Sequence, residues 1–168
     1  AVLMAPVPPT GTWGSIMRLA LRYPTMFSEI TRLSYHGELG PTSLSLMRDI
    51  YFSPVTRPEE LLDFAHLIQP ESVRAISDML LVGTRHHRPQ PRLPVMVIGG
   101  ERDAVFPPFS TSHTALRWRA LETYIPDCGH MLMLEHQWQA AADAVQRWLE
   151  ATVSRQSQAR SASSIAAA

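Results

Sequence analysis

The chain has 168 residues, 45% of them hydrophobic, which is enough for one domain with a buried core. Its 15 basic and 15 acidic residues give a formal net charge of zero, so we expect no nucleic-acid partner. The single cysteine, Cys128, excludes an internal disulfide and a cysteine-based zinc site. No apolar run approaches the ~20 residues of a membrane span. We expect a cytoplasmic protein, although a signal peptide upstream of Ala1 would lie outside this sequence.

The first predicted element is a short strand at residues 2–5. This apolar run is closed by the proline- and glycine-rich segment 6–11. A continuous apolar run that ends in turn residues is typical of a buried parallel strand. We therefore assign residues 1–14 to the core of an α/β sheet.

The hydrophobic pattern is helical from residue 15 to about residue 82. A first helix should end before Pro24, since the residue before a proline is disfavoured in a helix. Further short helices are predicted at 25–35, 41–52, 57–68 and 70–81. So many short helices between strands indicate an inserted cap, residues 15–91. Its polar end contains His86 and His87, which lack carboxylates or thiols at ligand spacing, so we expect no metal site.

The remaining core is assigned to residues 92–152. It contains predicted strands at 93–99 and 121–125, and between them a helix at 111–119 that is capped by Thr111 or Ser112. In the closing helix the apolar residues recur at i, i+3, i+4 and i+7, the pattern of one buried face: Trp138, Ala141, Ala142, Val145, Trp148 and Leu149. Residues 153–168 are rich in Ser, Gln, Arg and Ala without periodicity, which predicts a disordered tail.

Two residues with catalytic chemistry follow the last two strands. Asp103 lies just beyond Gly99-Gly100, and His130 follows Gly129, 27 residues after the aspartate. Loops at the carboxyl ends of parallel strands gather on one edge of a sheet. We therefore expect the two side chains to lie within hydrogen-bond distance. An aspartate that orients a histidine is two-thirds of a Ser-His-Asp triad.

Residues 93–103, 125–135 and 138–149 resemble the C-terminal half of an α/β-hydrolase, in which the serine precedes the acid and the acid precedes the histidine. The opening strand and loop resemble those that follow the nucleophile helix in this family. The resemblance implies an α/β fold: three parallel strands of the hydrolase sheet with flanking helices and an inserted helical lid. It assigns Asp103 as the triad acid and His130 as the general base, and it implies no cofactor.

Other reactive side chains near His130 have simpler interpretations. Asp127 precedes the histidine too closely to act across a sheet edge, so a turn role is expected. Cys128 is two positions away along an extended loop and should point elsewhere, which disfavours a thiol nucleophile. Glu135 and His136 are expected to start the following helix.

The sequence contains no Gly-x-Ser-x-Gly nucleophile elbow; Gly11-Thr12-Trp13-Gly14-Ser15 comes nearest but lacks the spacing. The resemblance places the elbow upstream of the opening strand. We therefore expect the C-terminal fragment of a serine hydrolase, inactive by itself. Its parent would act on an ester-like, lipophilic small substrate, as esterases and lysophospholipases do.

Two alternatives remain open from the sequence. The same fold can use an aspartate nucleophile, as in dehalogenases and epoxide hydrolases, and the missing elbow would decide between the two chemistries. The chain could instead be a non-enzymatic remnant or a binding module. In each case the exposed edge of a partial sheet predicts self-association.

Overall fold

A computed structural model describes residues 1–29, 32, 42–67, 72–81 and 93–166. In chain order its elements are β1 (Val2–Met4), α1 (Trp13–Arg22), α2 (Ser43–Tyr51), α3 (Pro58–Leu67), α4 (Val73–Leu81), β2 (Met96–Gly100), α5 (Pro108–Trp118), β3 (Leu121–Ile125) and α6 (Trp138–Ala166). Residues 30, 31 and 33–35 of the helix predicted at 25–35 lie outside the described residues, as do His86 and His87.

The three strands form one parallel sheet, as predicted, and the structure gives their order as β1-β2-β3. Leu3 pairs with Val97, and Val97 pairs with Glu122. All five residues of β2 are buried, because this central apolar strand is covered on both faces. The register brings the carboxyl ends of β2 and β3 side by side, which positions the loops that follow them.

The main core lies between the sheet and α6. Its buried members are Met96, Ile98, Ile125, Cys128, Leu132, Ala141, Ala144 and Trp148. The three helical members recur at i, i+3 and i+7, which places them on one face of α6. Trp138, predicted on the same face, remains half exposed.

Two predicted boundaries differ from the structure. Helix α5 begins at Pro108 rather than at Thr111, because a proline is well suited to the first turn of a helix. Thr111 is buried instead, against Gly99, where an added Cβ would lie 2.8 Å from the threonine hydroxyl. Helix α6 continues to Ala166, through the segment predicted to be disordered. Its Ala, Arg and Gln residues have high helix propensity and extend a helix that is already nucleated.

The helical insertion packs against the loop that follows β2. Leu19, Met26 and Ile50 form a second buried cluster, which Ala104 and Val105 of that loop contact. The insertion is therefore in contact with the edge of the sheet where Asp103 lies. Among the described residues, no helix is long and apolar enough to cross a membrane.

Candidate active site

Asp103 lies in the turn after β2 and is almost completely buried. Its Oδ1 accepts hydrogen bonds from the backbone N–H groups of Val105 and Phe106, at 2.8 and 2.7 Å. These two bonds compensate the burial of a charged carboxylate and fix its orientation. The other oxygen, Oδ2, is thereby directed towards the loop that follows β3.

The loop after β3 delivers His130 to this carboxylate. The distance from His130 Nδ1 to Asp103 Oδ2 is 2.9 Å, which confirms the approach predicted from the sequence. The imidazole is mostly buried, with 18% of its side chain exposed. The backbone N–H groups of His130 and Met131 both donate to the carbonyl oxygen of Tyr51, at 2.9 and 3.0 Å. The end of α2 therefore helps to hold the histidine loop.

The backbones of the two loops approach each other closely at Gly100. A Cβ on Gly100 would collide with the carbonyl oxygens of Cys128 and Gly129, so this position requires glycine. On the outer side, the guanidinium of Arg102 contacts Asp127 Oδ1 at 2.7 Å. Asp127 has a φ of 49°, which agrees with the turn role predicted for it.

Glu135 lies just before α6, as predicted, and its carbonyl oxygen accepts a hydrogen bond from the Trp138 N–H at 3.0 Å. What the sequence does not predict is the position of its carboxylate, which points into the protein; the residue is 1% exposed. Its Oε1 accepts hydrogen bonds from the N–H groups of Gly129 at 2.6 Å and Ser53 at 2.8 Å. Nothing local distinguishes such a glutamate from one at a helix start, since its two donors come from separate segments.

Aromatic rings flank the imidazole. The ring of Phe106 meets it edge to face at a centroid distance of 5.4 Å, and the ring of Tyr51 lies at 6.2 Å. Nearby, Arg18 of α1 donates to the carbonyl oxygens of Ala104 and Val105, at 2.6 and 2.9 Å. Burial lowers the pKa of Arg18, and the charge of Asp103 opposes that shift. The insertion thus contacts the acid loop as well as the histidine loop.

The thiol of Cys128 does not provide an alternative nucleophile in this geometry. Burial raises the pKa of Cys128 to about 12, with smaller contributions from Glu135 and Asp103, so its thiol is protonated at neutral pH. Within the described ranges, no three His, Cys, Asp or Glu side chains are grouped to hold a metal ion. The arrangement therefore provides an oriented imidazole that can accept and return a proton.

Comparison with known proteins agrees with this architecture. An esterase from Thermogutta terrifontis, solved with malate bound, is 20% identical; the match covers 90% of this chain and 55% of that chain, with a TM-score of 0.56. A second thermophilic esterase is 17% identical, with coverages of 90% and 56% and a TM-score of 0.54. The protein Rv0554 of Mycobacterium tuberculosis is 20% identical, with coverages of 92% and 56% and a TM-score of 0.51. No curated protein sequence matches the chain significantly.

The chain spans just over half the length of these solved structures, and at such low identity they establish the fold alone. The sequence profile of the alpha/beta hydrolase family matches residues 1–144. That match includes the strand at the start of the chain, the helical insertion and both loops of the His-Asp pair. The chain therefore belongs to the α/β hydrolase family.

Proposed function

We propose that this chain supplies the acid and base of a serine hydrolase that acts on an ester-like, lipophilic small substrate. The observation that carries the proposal is the 2.9 Å contact between His130 Nδ1 and Asp103 Oδ2. With Oδ1 held by two backbone N–H groups, the carboxylate orients the imidazole and stabilises its protonated form. Nε2 is then the ring atom that exchanges a proton with the reacting groups.

The proposed reaction is acyl transfer to a serine that lies outside these 168 residues. His130 Nε2 takes the proton of the serine hydroxyl as its oxygen attacks the ester carbonyl. The imidazolium then returns this proton to the departing alcohol, and water releases the acid in a second cycle of the same transfers. The aromatic edges of Phe106 and Tyr51 beside the imidazole favour an apolar substrate.

The test is to express the chain together with its upstream in-frame coding sequence. If that sequence contains Gly-x-Ser-x-Gly, we expect hydrolysis of p-nitrophenyl butyrate, and His130→Ala should reduce kcat by about 10⁴-fold. His113→Ala is the control, since it removes an exposed histidine of α5 and should leave kcat nearly unchanged. Turnover that survives His130→Ala would contradict the proposal.

The two alternatives give different outcomes in the same experiment. An aspartate at the elbow, with turnover of haloalkanes or epoxides, would assign His130 to activating water against an aspartyl ester. An extended protein with neither ester, haloalkane nor epoxide turnover would indicate a non-enzymatic remnant or a binding module. No specific contact in the described residues favours either one.

A further inference from the structure

We propose that Glu135 is a positioning residue that fastens the His130 loop to the end of α2 and so holds the imidazole against Asp103. The inference rests on the proposed role of His130 as the base. It concerns a residue that neither accepts nor donates a proton in the proposed reaction.

One carboxylate oxygen joins two separate segments of the chain. Oε1 of Glu135 accepts from the N–H of Gly129, the residue before the histidine, and from the N–H of Ser53, just beyond α2. Tyr51, two residues before Ser53, accepts from the N–H groups of His130 and Met131 through its carbonyl oxygen. The histidine loop is therefore held to the same short stretch of the insertion from both sides.

The burial of Glu135 supports a role beyond starting a helix. A carboxylate that only caps a helix can remain in water, whereas a buried one costs free energy unless its hydrogen bonds compensate. Bonds to an ionised acceptor are about twice as strong as neutral ones. Gly129 must also lack a side chain here, since a Cβ would lie 2.7 Å from both Glu135 Oε1 and the backbone carbonyl carbon of Phe52. The carboxylate and the glycine thus form one close contact directly before His130.

Another side-chain contact of this loop is weaker. The Arg102–Asp127 ion pair is more than half exposed on both side chains. Exposed pairs of this kind contribute little to stability. We therefore assign the side-chain part of this positioning to Glu135; it acts beside the backbone bonds to Tyr51 and the bond from the Arg102 N–H to the Cys128 carbonyl oxygen.

Two substitutions separate the reach of this side chain from its charge. Glu135→Asp keeps the charge but shortens the side chain by one methylene, so one oxygen no longer reaches both N–H groups. Glu135→Gln keeps the length and an acceptor oxygen but removes the charge. The exposed Glu101→Gln, in the turn before Asp103, removes the same charge without touching these bonds and is the matched control.

The measurement is NMR of the chain labelled with ¹⁵N at histidine and backbone amides, which needs no turnover. We expect Glu135→Asp to shift or broaden the His130 Nδ1–H signal and to increase the exchange rates of the Gly129 and Ser53 amides at least ~10-fold relative to Val97. Glu135→Gln and Glu101→Gln should retain the native signal. Persistence of the native His130 signal in Glu135→Asp would overturn the proposal. Loss of that signal in Glu135→Gln, while Glu101→Gln retains it, would also overturn it.

The unsubstituted chain provides a second test that does not depend on how well a variant folds. Because the Gly129 and Ser53 amides share one acceptor, they should exchange at rates within ~10-fold of each other. Rates that differ by more than ~100-fold would show that the two bonds open separately, which contradicts a single fastening. If the extended protein does not hydrolyse p-nitrophenyl butyrate but the NMR results are as expected, the hydrolase proposal is rejected and the positioning role of Glu135 is retained.

Discussion

The two oxygens of Asp103 have different partners, and this division accounts for the orientation of the site. Oδ1 is occupied by the N–H groups of Val105 and Phe106, while Oδ2 contacts His130. The bonds to Oδ1 close a short turn within three residues of the aspartate. The carboxylate is thus oriented by hydrogen bonds within its own loop, independently of the histidine loop.

Replacing Asp103 should therefore reduce stability as well as remove the triad acid. Asp103→Ala leaves the two backbone N–H groups without their acceptor, and a buried unsatisfied donor costs ~1–3 kcal/mol. We expect a loss of about 2–4 kcal/mol in the free energy of unfolding, measured by urea denaturation. Asp103→Asn keeps an oxygen at the Oδ1 position and should lose less than half as much. Equal losses in both variants would contradict this assignment.

The buried thiol of Cys128 should make the stability of the chain depend on pH at high pH. Its pKa is raised by burial from the ordinary value of 9.0 to about 12 in the folded chain. Between these values the unfolded thiol loses its proton while the folded thiol retains it, so the unfolded state is favoured as pH rises. The contribution of this thiol to the free energy of unfolding is thus fully present below pH ~9. Above that pH it falls by up to ~1.4 kcal/mol per pH unit.

The measurement is urea denaturation at pH 8 and pH 10 for the native chain and for Cys128→Ala. The alanine variant should show the smaller decrease between the two pH values. Identical decreases would show that the Cys128 thiol titrates alike in the folded and unfolded states.

At the scale of single elements, β1 forms an open edge of the described sheet. The carbonyl oxygen of Ala1 accepts from Met96 N–H, and the N–H of Ala5 donates to Ile98, so odd-numbered residues bond to β2. By alternation, the polar backbone groups of Val2 and Met4 point away from the sheet. Such an edge can pair with a second chain.

We propose that the chain self-associates through this edge, as the sequence led us to expect. Met4→Pro removes an outward N–H without removing a bond to β2, and it should shift the chain towards monomer in size-exclusion chromatography. Met4→Ala is the matched control, because it loses the same partly exposed side chain but keeps the N–H. A native chain that elutes as monomer at all concentrations tested would contradict the proposal.

The helical insertion is connected to both loops of the site. Arg18 of α1 contacts the acid loop, and the end of α2 accepts bonds from the histidine loop. The sequence predicts an inserted cap at residues 15–91. These contacts show that α1 and the end of α2 also support the His-Asp pair.

For the molecule as a whole, the sequence lacks one part of the triad. A base and its orienting acid without a nucleophile and oxyanion donors give little catalysis, since triad members act as a unit. We expect the purified chain to hydrolyse p-nitrophenyl butyrate no faster than its His130→Ala variant. Turnover that His130→Ala abolishes would show that these residues contain a nucleophile outside any Gly-x-Ser-x-Gly motif.

Much of the fold was predictable because its signals are local. The apolar runs that end in glycines predicted β2 and the site loops, and the period of the last helix predicted the buried Ala141 and Trp148. Asp103 and His130 were predictable because each follows a strand of a parallel sheet directly. The start of α5 was predicted wrongly because Thr111 was taken as the helix cap, whereas the helix begins at Pro108. The end of α6 was predicted wrongly because the polar composition of the tail indicated disorder, whereas its residues continue the helix.

The sequence by itself thus determined the family, the parallel strands and the two residues that meet at the edge of the sheet. Only the tertiary structure revealed what holds those residues in place. The partners of Glu135 are 6 and 82 residues away, and Arg18 contacts carbonyl groups 86 and 87 residues further along the chain. Each of these hydrogen bonds joins a side chain to a backbone N–H or carbonyl group. Because almost every residue carries such groups, the pattern of side chains does not predict the partner, and the bond forms only when the chain folds.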